Sequence, residues 1–205
     1  MKKIVVCELA VLTLMSCGIS KEDKANDLIV EDVKKTLYHP ESYEAVETVI
    51  DSAFAPMDDP VFYEKSLEMC QLAVKAQLNT DRMQKAEQKM NLWESPYKKG
   101  FDKTNYEEAR LEYDDCSKNA EILVSRMEKG GGELMEMAKQ GYRFIGYKAS
   151  HRFRAKNGNG QAVLCDYIYI MNEDLTKILD VHDTDSKEYQ MVQAMYRMFQ
   201  EEALN

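Results

Sequence analysis

Proline and glycine are scarce. Four of the first and nine of the second in 205 residues exclude collagen-like and low-complexity architectures. Positive charge is also short: 27 Lys and Arg against 36 Asp and Glu leave a net charge of −9 and a pI near 5.0. General nucleic-acid binding runs on cationic neutralisation of phosphates, so no nucleic-acid partner is expected. No apolar run reaches the ~20 residues of a membrane span, and mean hydropathy is −0.53, which excludes a polytopic membrane protein. The chain carries no C-x-x-C pair, no His-rich zinc spacing, no G-x-S-x-G and no H-E-x-x-H. What remains is a chain with 44% hydrophobic and 31% charged residues, the balance of a globular protein of one domain, plain or elaborated.

The N-terminus is the most informative stretch. Met1-Lys2-Lys3 is a positive leader, Ile4 to Met15 is a short apolar segment interrupted by Glu8, and Leu14-Met15-Ser16-Cys17-Gly18 follows. A small residue directly before Cys17, with Leu14 three before it, resembles the lipobox of bacterial lipoproteins. In that family the segment before the cysteine is removed and the cysteine is acylated with palmitate-type chains. The resemblance makes Cys17 the lipidation site and the membrane a partner through the lipid anchor. Ser20-Lys21-Glu22-Asp23 resembles the acidic tether of Bacteroidetes-type lipoproteins, which implies the outer membrane and its outer face. The expected organisation is a signal peptide over 1–16, a lipidated tether over 17–26, and one α+β domain over 27–205.

Of five cysteines, Cys7 would leave with the signal and Cys17 would carry lipid. Cys70, Cys116 and Cys165 each lie in an apolar stripe or strand and read as free thiols. Asp27 to Leu37 reads as a helix with Leu28, Val33 and Leu37 inward, stopped by His39-Pro40. Tyr43 to Phe54, with Val46, Ile50 and Phe54 on one side, reads as a strand. Asp59-Pro60 then opens a helix, as N-cap and first residue.

From Pro60 the period becomes helical: Tyr63, Leu67, Cys70, Val74 and Leu78, then Ala86, Met90 and Trp93. After a break at Pro96 and Gly100, Thr104 and Glu107 suggest a capping box. A second stripe follows: Tyr106, Ala109, Tyr113, Cys116, Ala120, Leu123, Met127, Gly130, Leu134 and Met137. Its alternating steps of three and four are a coiled-coil seam. The two helices predict an antiparallel hairpin over 60–140, an arm of about 50 Å at helical rise. Gly130-Gly131-Gly132 weakens or bends the second helix. It is not a phosphate loop, since no Lys follows at the required spacing.

The period then returns to two. Tyr142 to Ala155, Gln161 to Met171 and Leu175 to Val181 read as strands, joined by the hairpin signal Asn157-Gly158-Asn159-Gly160 and a turn at Asn172-Glu173-Asp174. Asp185 caps a last helix with Tyr189, Val192, Tyr196, Phe199 and Ala203 inward. The fold class is α+β: an antiparallel sheet with helices on one face and a helical hairpin inserted after the first strand. This order, with His39-Pro40-Glu41-Ser42-Tyr43 before the first strand and Lys156 to Gly160 in the later hairpin, resembles an uncharacterised family of lipoproteins. The resemblance implies a shape and no activity.

Three sets of residues are candidates for function. Centring the hairpin on Gly158-Asn159 sets His151 opposite Asp166, a pair in which a carboxylate orients a general base and the basis for reading the chain as a small lipid-anchored hydrolase. The opposite sheet face then carries Lys148, Arg152 and Arg154 beside Tyr167 and Tyr169, a mixture suited to anionic or carbohydrate ligands. The arm's tip combines Trp93, Tyr97 and Phe101 with Lys98, Lys99 and Lys103, aromatics that can dock on a membrane or partner. His182, Asp183 and Asp185 offer metal-ligand atoms, but helix capping accounts for both acids, and neither metal nor cofactor is expected. The favoured expectation is a non-catalytic envelope lipoprotein that binds an envelope protein or glycan.

Overall fold

The computed structural model describes residues 20–94 and 100–203. The chain runs α1 (Lys21–Thr36), a 3-10 turn (Pro40–Ser42), β1 (Glu44–Ala55), α2 (Pro60–Trp93), α3 (Phe101–Lys139), β2 (Arg143–Lys156), β3 (Ala162–Met171), β4 (Ile178–Asp183) and α4 (Lys187–Ala203). The four strands form one antiparallel sheet in the order β1-β2-β3-β4. The α+β class and the helical hairpin inserted after the first strand stand as expected.

Helix α1 starts earlier than its sequence suggests. Ser20 is its N-cap, accepting from the Asp23 N–H at 3.0 Å, so Lys21 to Asn26 are helical rather than tether. The run looks polar, yet Ala25, Ile29 and Val33, spaced by four, are fully buried. They pack on Ala149, Phe153, Ala155, Tyr169 and Met171 of the sheet, with Leu28 and Leu37 at the margin. Burial of each such Ile or Val contributes about 1.5–3 kcal/mol.

The inserted hairpin has two unequal helices. Every position of the α3 seam from Tyr106 to Met137 is buried or half-buried, and the helix continues unbroken through Gly130–Gly132. Gly130 lets α2 come close: a Cβ there would lie 2.5 Å from the Met69 sulfur. Thr104 is no cap, because the helix has already begun at Phe101 and its hydroxyl donates to the Gly100 carbonyl at 3.3 Å.

Helix α2 corrects the sequence reading. Val74 and Leu78 are exposed, and the stripe facing α3 is Phe62, Ser66, Met69, Leu72, Ala76, Asn79, Met83, Ala86, Met90 and Trp93. Two of these are polar and buried; Asn79 meets the cost of burial by donating from Nδ2 to the Cys116 carbonyl at 2.7 Å. Tyr63, Leu67 and Cys70 form a second stripe, turned toward α4 and joined to the cluster of Phe62, Leu134, Val192 and Tyr196. Ion pairs of Lys65 with Glu133, Arg126 with Glu68, and Arg82 and Lys89 with Glu112 cross between the helices. Exposed pairs of this kind contribute at most about 1 kcal/mol each, so they select register more than they hold the arm together. Cys70, Cys116 and Cys165 are free.

Helices occupy both faces of the sheet. The α1 side carries Ala149, His151, Phe153 and Tyr169, while His182, on the other side, stacks on Tyr63 of α2 at 3.9 Å. The turn from β3 to β4 is longer than its sequence suggests. Asn172 Oδ1 accepts the N–H groups of Thr176 and Lys177, and Leu175 lies in this turn rather than in a strand, with φ of 53° and its side chain buried. Ser186, not Asp185, caps α4, accepting from the Tyr189 N–H at 3.1 Å. Phe199, expected inward on α4, is exposed.

Candidate functional site

The centre of the β2–β3 hairpin decides which residues meet. Lys156 pairs with Ala162, the loop is Asn157 to Gln161, and Asn157 Oδ1 ties it by accepting from the N–H groups of Asn159 and Gln161, each at 3.0 Å. The loop is therefore centred on Asn159 itself. The register moves by one residue from the Gly158-Asn159 centring, and a one-residue slip exchanges the two faces of a strand relative to its partner. His151 faces Tyr167, and Asp166 faces Arg152.

This separates the proposed catalytic pair. Asp166 Oδ1 accepts from Arg152 Nε at 2.7 Å on the face away from α1. His151 is buried on the α1 face, with Nε2 3.0 Å from the Tyr43 hydroxyl and Nδ1 3.0 Å from the Thr48 hydroxyl. Both ring nitrogens are thus occupied. Burial lowers the imidazole's pKa, so it is neutral near pH 7, and its ring stacks on Tyr43 and Phe153. His151 is a core residue that satisfies two neighbouring hydroxyls.

The same slip divides the cationic and aromatic set. Tyr167 and Tyr169 lie on the α1 face beside His151, and Tyr169 is fully buried. Burial raises the pKa of both phenols. Lys148, Arg152 and Arg154 remain on the other face, each next to an acid: Lys148 bonds Asp58 at 3.1 Å, Arg152 bonds Asp166, and Arg154 lies 3.9 Å from Glu44. A strip whose charges are answered locally offers an anion little net attraction.

Sequence reasoning missed a depression beside β4. Asp180 and His182, paired with Ile170 and Ile168, lie on the face away from α1. There Pro60, Tyr63, Glu64 and Leu67 of α2 and Ser186 and Glu188 of α4 complete a shallow cavity of about 510 Å³. The His182 ring lies between those of Tyr63, at 3.9 Å, and Tyr189, at 5.9 Å, with Nε2 3.5 Å from Asp180 Oδ2. Burial lowers the imidazole's pKa, the Asp180 charge opposing it only in part. Burial also pushes the Tyr63 phenol up to about 12. Ser186 is the only hydroxyl of a serine in the lining, and it is committed: it donates to the Asp183 carbonyl at 2.7 Å and accepts from the Tyr189 N–H. No nucleophile is prepared beside His182.

The grouping of His182 with Asp183 and Asp185 also dissolves. Asp183 points to the other side of β4, and its Oδ1 accepts from the Asp185 N–H at 2.9 Å. Among the described residues no three His, Cys, Asp or Glu side chains are placed to hold one metal ion. At the arm's tip Trp93 is half-buried and meets Phe101 edge-to-face at 5.7 Å, while Phe101 and Leu92 are exposed. Tyr97, Lys98 and Lys99 lie outside the described residues, as does Cys17. No helix among the described residues is long and apolar enough to cross a membrane.

No family model, curated protein or solved structure matches the chain.

Proposed function

We infer that this chain is a lipid-anchored lipoprotein of the outer membrane, acylated on Cys17, that binds an envelope partner through its helical arm and catalyses no reaction. The observation that carries the reading is the sequence Leu14-Met15-Ser16-Cys17 set three residues ahead of a capped helix. Acylation there attaches the folded body directly to a bilayer, and more than one acyl chain gives stable attachment. Partner binding at the tip is supported by the exposed apolar side chains of Leu92 and Phe101, next to Trp93. Surfaces that combine exposed apolar and aromatic side chains are the usual anchors of protein contacts. The cationic strip of Lys148, Arg152 and Arg154 gives weaker support for a glycan or anionic ligand, because each cation has an acid beside it.

The test is fractionation of cells labelled with a fatty-acid analogue. Wild-type protein is expected in the outer-membrane fraction with label, and Cys17→Ala protein is expected without label and released from that fraction. Unlabelled wild type whose membrane partitioning does not change on Cys17→Ala overturns the lipoprotein reading.

A further inference from the structure

Where β1 ends and β2 begins, aromatic rings meet outside the core. Phe54 stacks on Tyr142 at 4.2 Å and meets Phe144 edge-on at 5.8 Å, and Phe144 meets Tyr147 at 5.5 Å. Its outer members are open to solvent, Tyr142 being 77% exposed and Phe144 36%, while Phe54 and Tyr147 are half-buried. It ends at the point where the described chain begins. Lys21, the first residue of α1, donates from Nζ to the Tyr147 hydroxyl at 2.6 Å and lies 4.8 Å from the ring centroid.

We propose that Phe54, Tyr142, Phe144 and Tyr147, with Lys21, form the surface by which the protein rests on the bilayer interface. The proposal builds on the reading of Cys17 as the acylated residue. Four residue steps separate Cys17 from Lys21, so even a fully extended chain spans at most about 14 Å. An acylated Cys17 sits at headgroup level, so the start of α1 must lie within that distance of the lipid, and the aromatic row adjoins it through Tyr147. Tyrosines such as Tyr142 and Tyr147, with an apolar body and a polar edge, settle at such an interface, Phe54 and Phe144 add apolar area between them, and a lysine beside them reaches the phosphates. The contact adds less to attachment than to orientation: it sets which end of the sheet faces the membrane.

The test uses single-tryptophan reporters in the acylated, full-length protein reconstituted into phosphatidylethanolamine vesicles. The vesicles contain phosphatidylcholine brominated near the glycerol end of its acyl chains, which quenches indole only at short range. Trp93→Phe removes the chain's single tryptophan. Into that background go Tyr142→Trp in the aromatic row and, separately, Tyr38→Trp, which is 83% exposed and touches the hairpin loop at Gly158 at the opposite end of the sheet. The 14-residue strand β2 separates the two ends by roughly 45 Å. Tyr142→Trp is expected to lose most of its emission on brominated vesicles and Tyr38→Trp to keep it, with circular dichroism and melting temperature unchanged from wild type. Should Tyr142→Trp disturb folding, Phe144→Trp serves in its place. A protein that carries acyl label and floats with the vesicles, but whose reporter at 142 or 144 stays as bright as that at 38, overturns this proposal alone. A protein without acyl label overturns the anchor and this proposal with it.

Discussion

Gly146→Ala is expected to destabilise the fold by on the order of 3 kcal/mol, read as a fall in the urea midpoint at unchanged slope. Gly146 has φ of 141°, which an L side chain rarely adopts. A Cβ there would run into the Met171 carbonyl oxygen and lie 2.8 Å from the carbonyl carbon of Asn172. Both obstacles are backbone, held by the Asn172 turn, so neither gives way as a flexible side chain would. Strain at a disfavoured φ adds to the overpacking. Gly131→Ala supplies the contrast, because its Cβ would meet nothing within 4 Å in the interior of α3. There the same substitution is expected to stabilise by about 0.5–1 kcal/mol. A Gly146→Ala midpoint close to wild type would show that β2 does not need this close approach.

Stability is expected to fall as the pH drops from 7 to 5. His151 and His182 both have pKa values below the ordinary 6.5, because burial disfavours their charged forms. The hydroxyls of Tyr43 and Thr48 face His151, while Tyr63, Tyr189 and the Asp180 carboxylate face His182. Above pH 6.5 both imidazoles are neutral in either state and the full stability is present. Below it the unfolded chain takes up protons that the folded chain resists, and stability is lost down to the lowered folded values. Each histidine contributes a slope of at most about 1.4 kcal/mol per pH unit. His151→Gln removes one of the two contributions, so its stability profile should be shallower over this range. Glu31 and Glu133, whose pKa values are lowered chiefly by hydrogen bonds from Lys35 and Lys65, respond only below their ordinary 4.5. A urea midpoint that is flat between pH 7 and 5 would contradict the neutral, buried state of both rings.

The parts of the fold legible in the sequence are those where apolar spacing alone sets burial. The α3 stripe is one, since each of its positions from Tyr106 to Met137 turns inward. Helix α2 was less legible because Ser66 and Asn79 occupy inward positions while Val74 and Leu78 point to solvent. Hydrogen bonding to a carbonyl on the neighbouring helix, which makes Asn79 a seam residue, leaves no mark in a hydropathy pattern. The start of α1 was hidden for a related reason: Ala25 is a single small side chain in a charged run. At the β2–β3 hairpin the Asn-Gly signal located the turn, but a shift of half a residue in its centre reversed which face each candidate occupies. His151, Asp166, Tyr167 and Tyr169 all changed neighbours through that one step. The cavity at His182 was legible only through strand alternation, because the residues that close it come from α2 and α4, far away in sequence.

The two stripes of α2 do not run its whole length. Near the base, Met69 meets α3 at Gly130, Phe62 packs between Leu134 of α3 and Tyr196 of α4, and Tyr63 and Cys70 meet the sheet and α4, so the helix is gripped from two sides. Beyond Leu72 only the side facing α3 is covered, and Val74 and Leu78 lie open. The free energy needed to part the two helices therefore grows from the far end inward, and amide hydrogens along the arm are expected to exchange in that order, fastest beside Trp93 and Phe101 and slowest beside Phe62 and Leu134, as measured by hydrogen–deuterium exchange. An arm graded in this way yields at its end while its root stays closed, so whatever grips the end can reshape it without loosening the sheet.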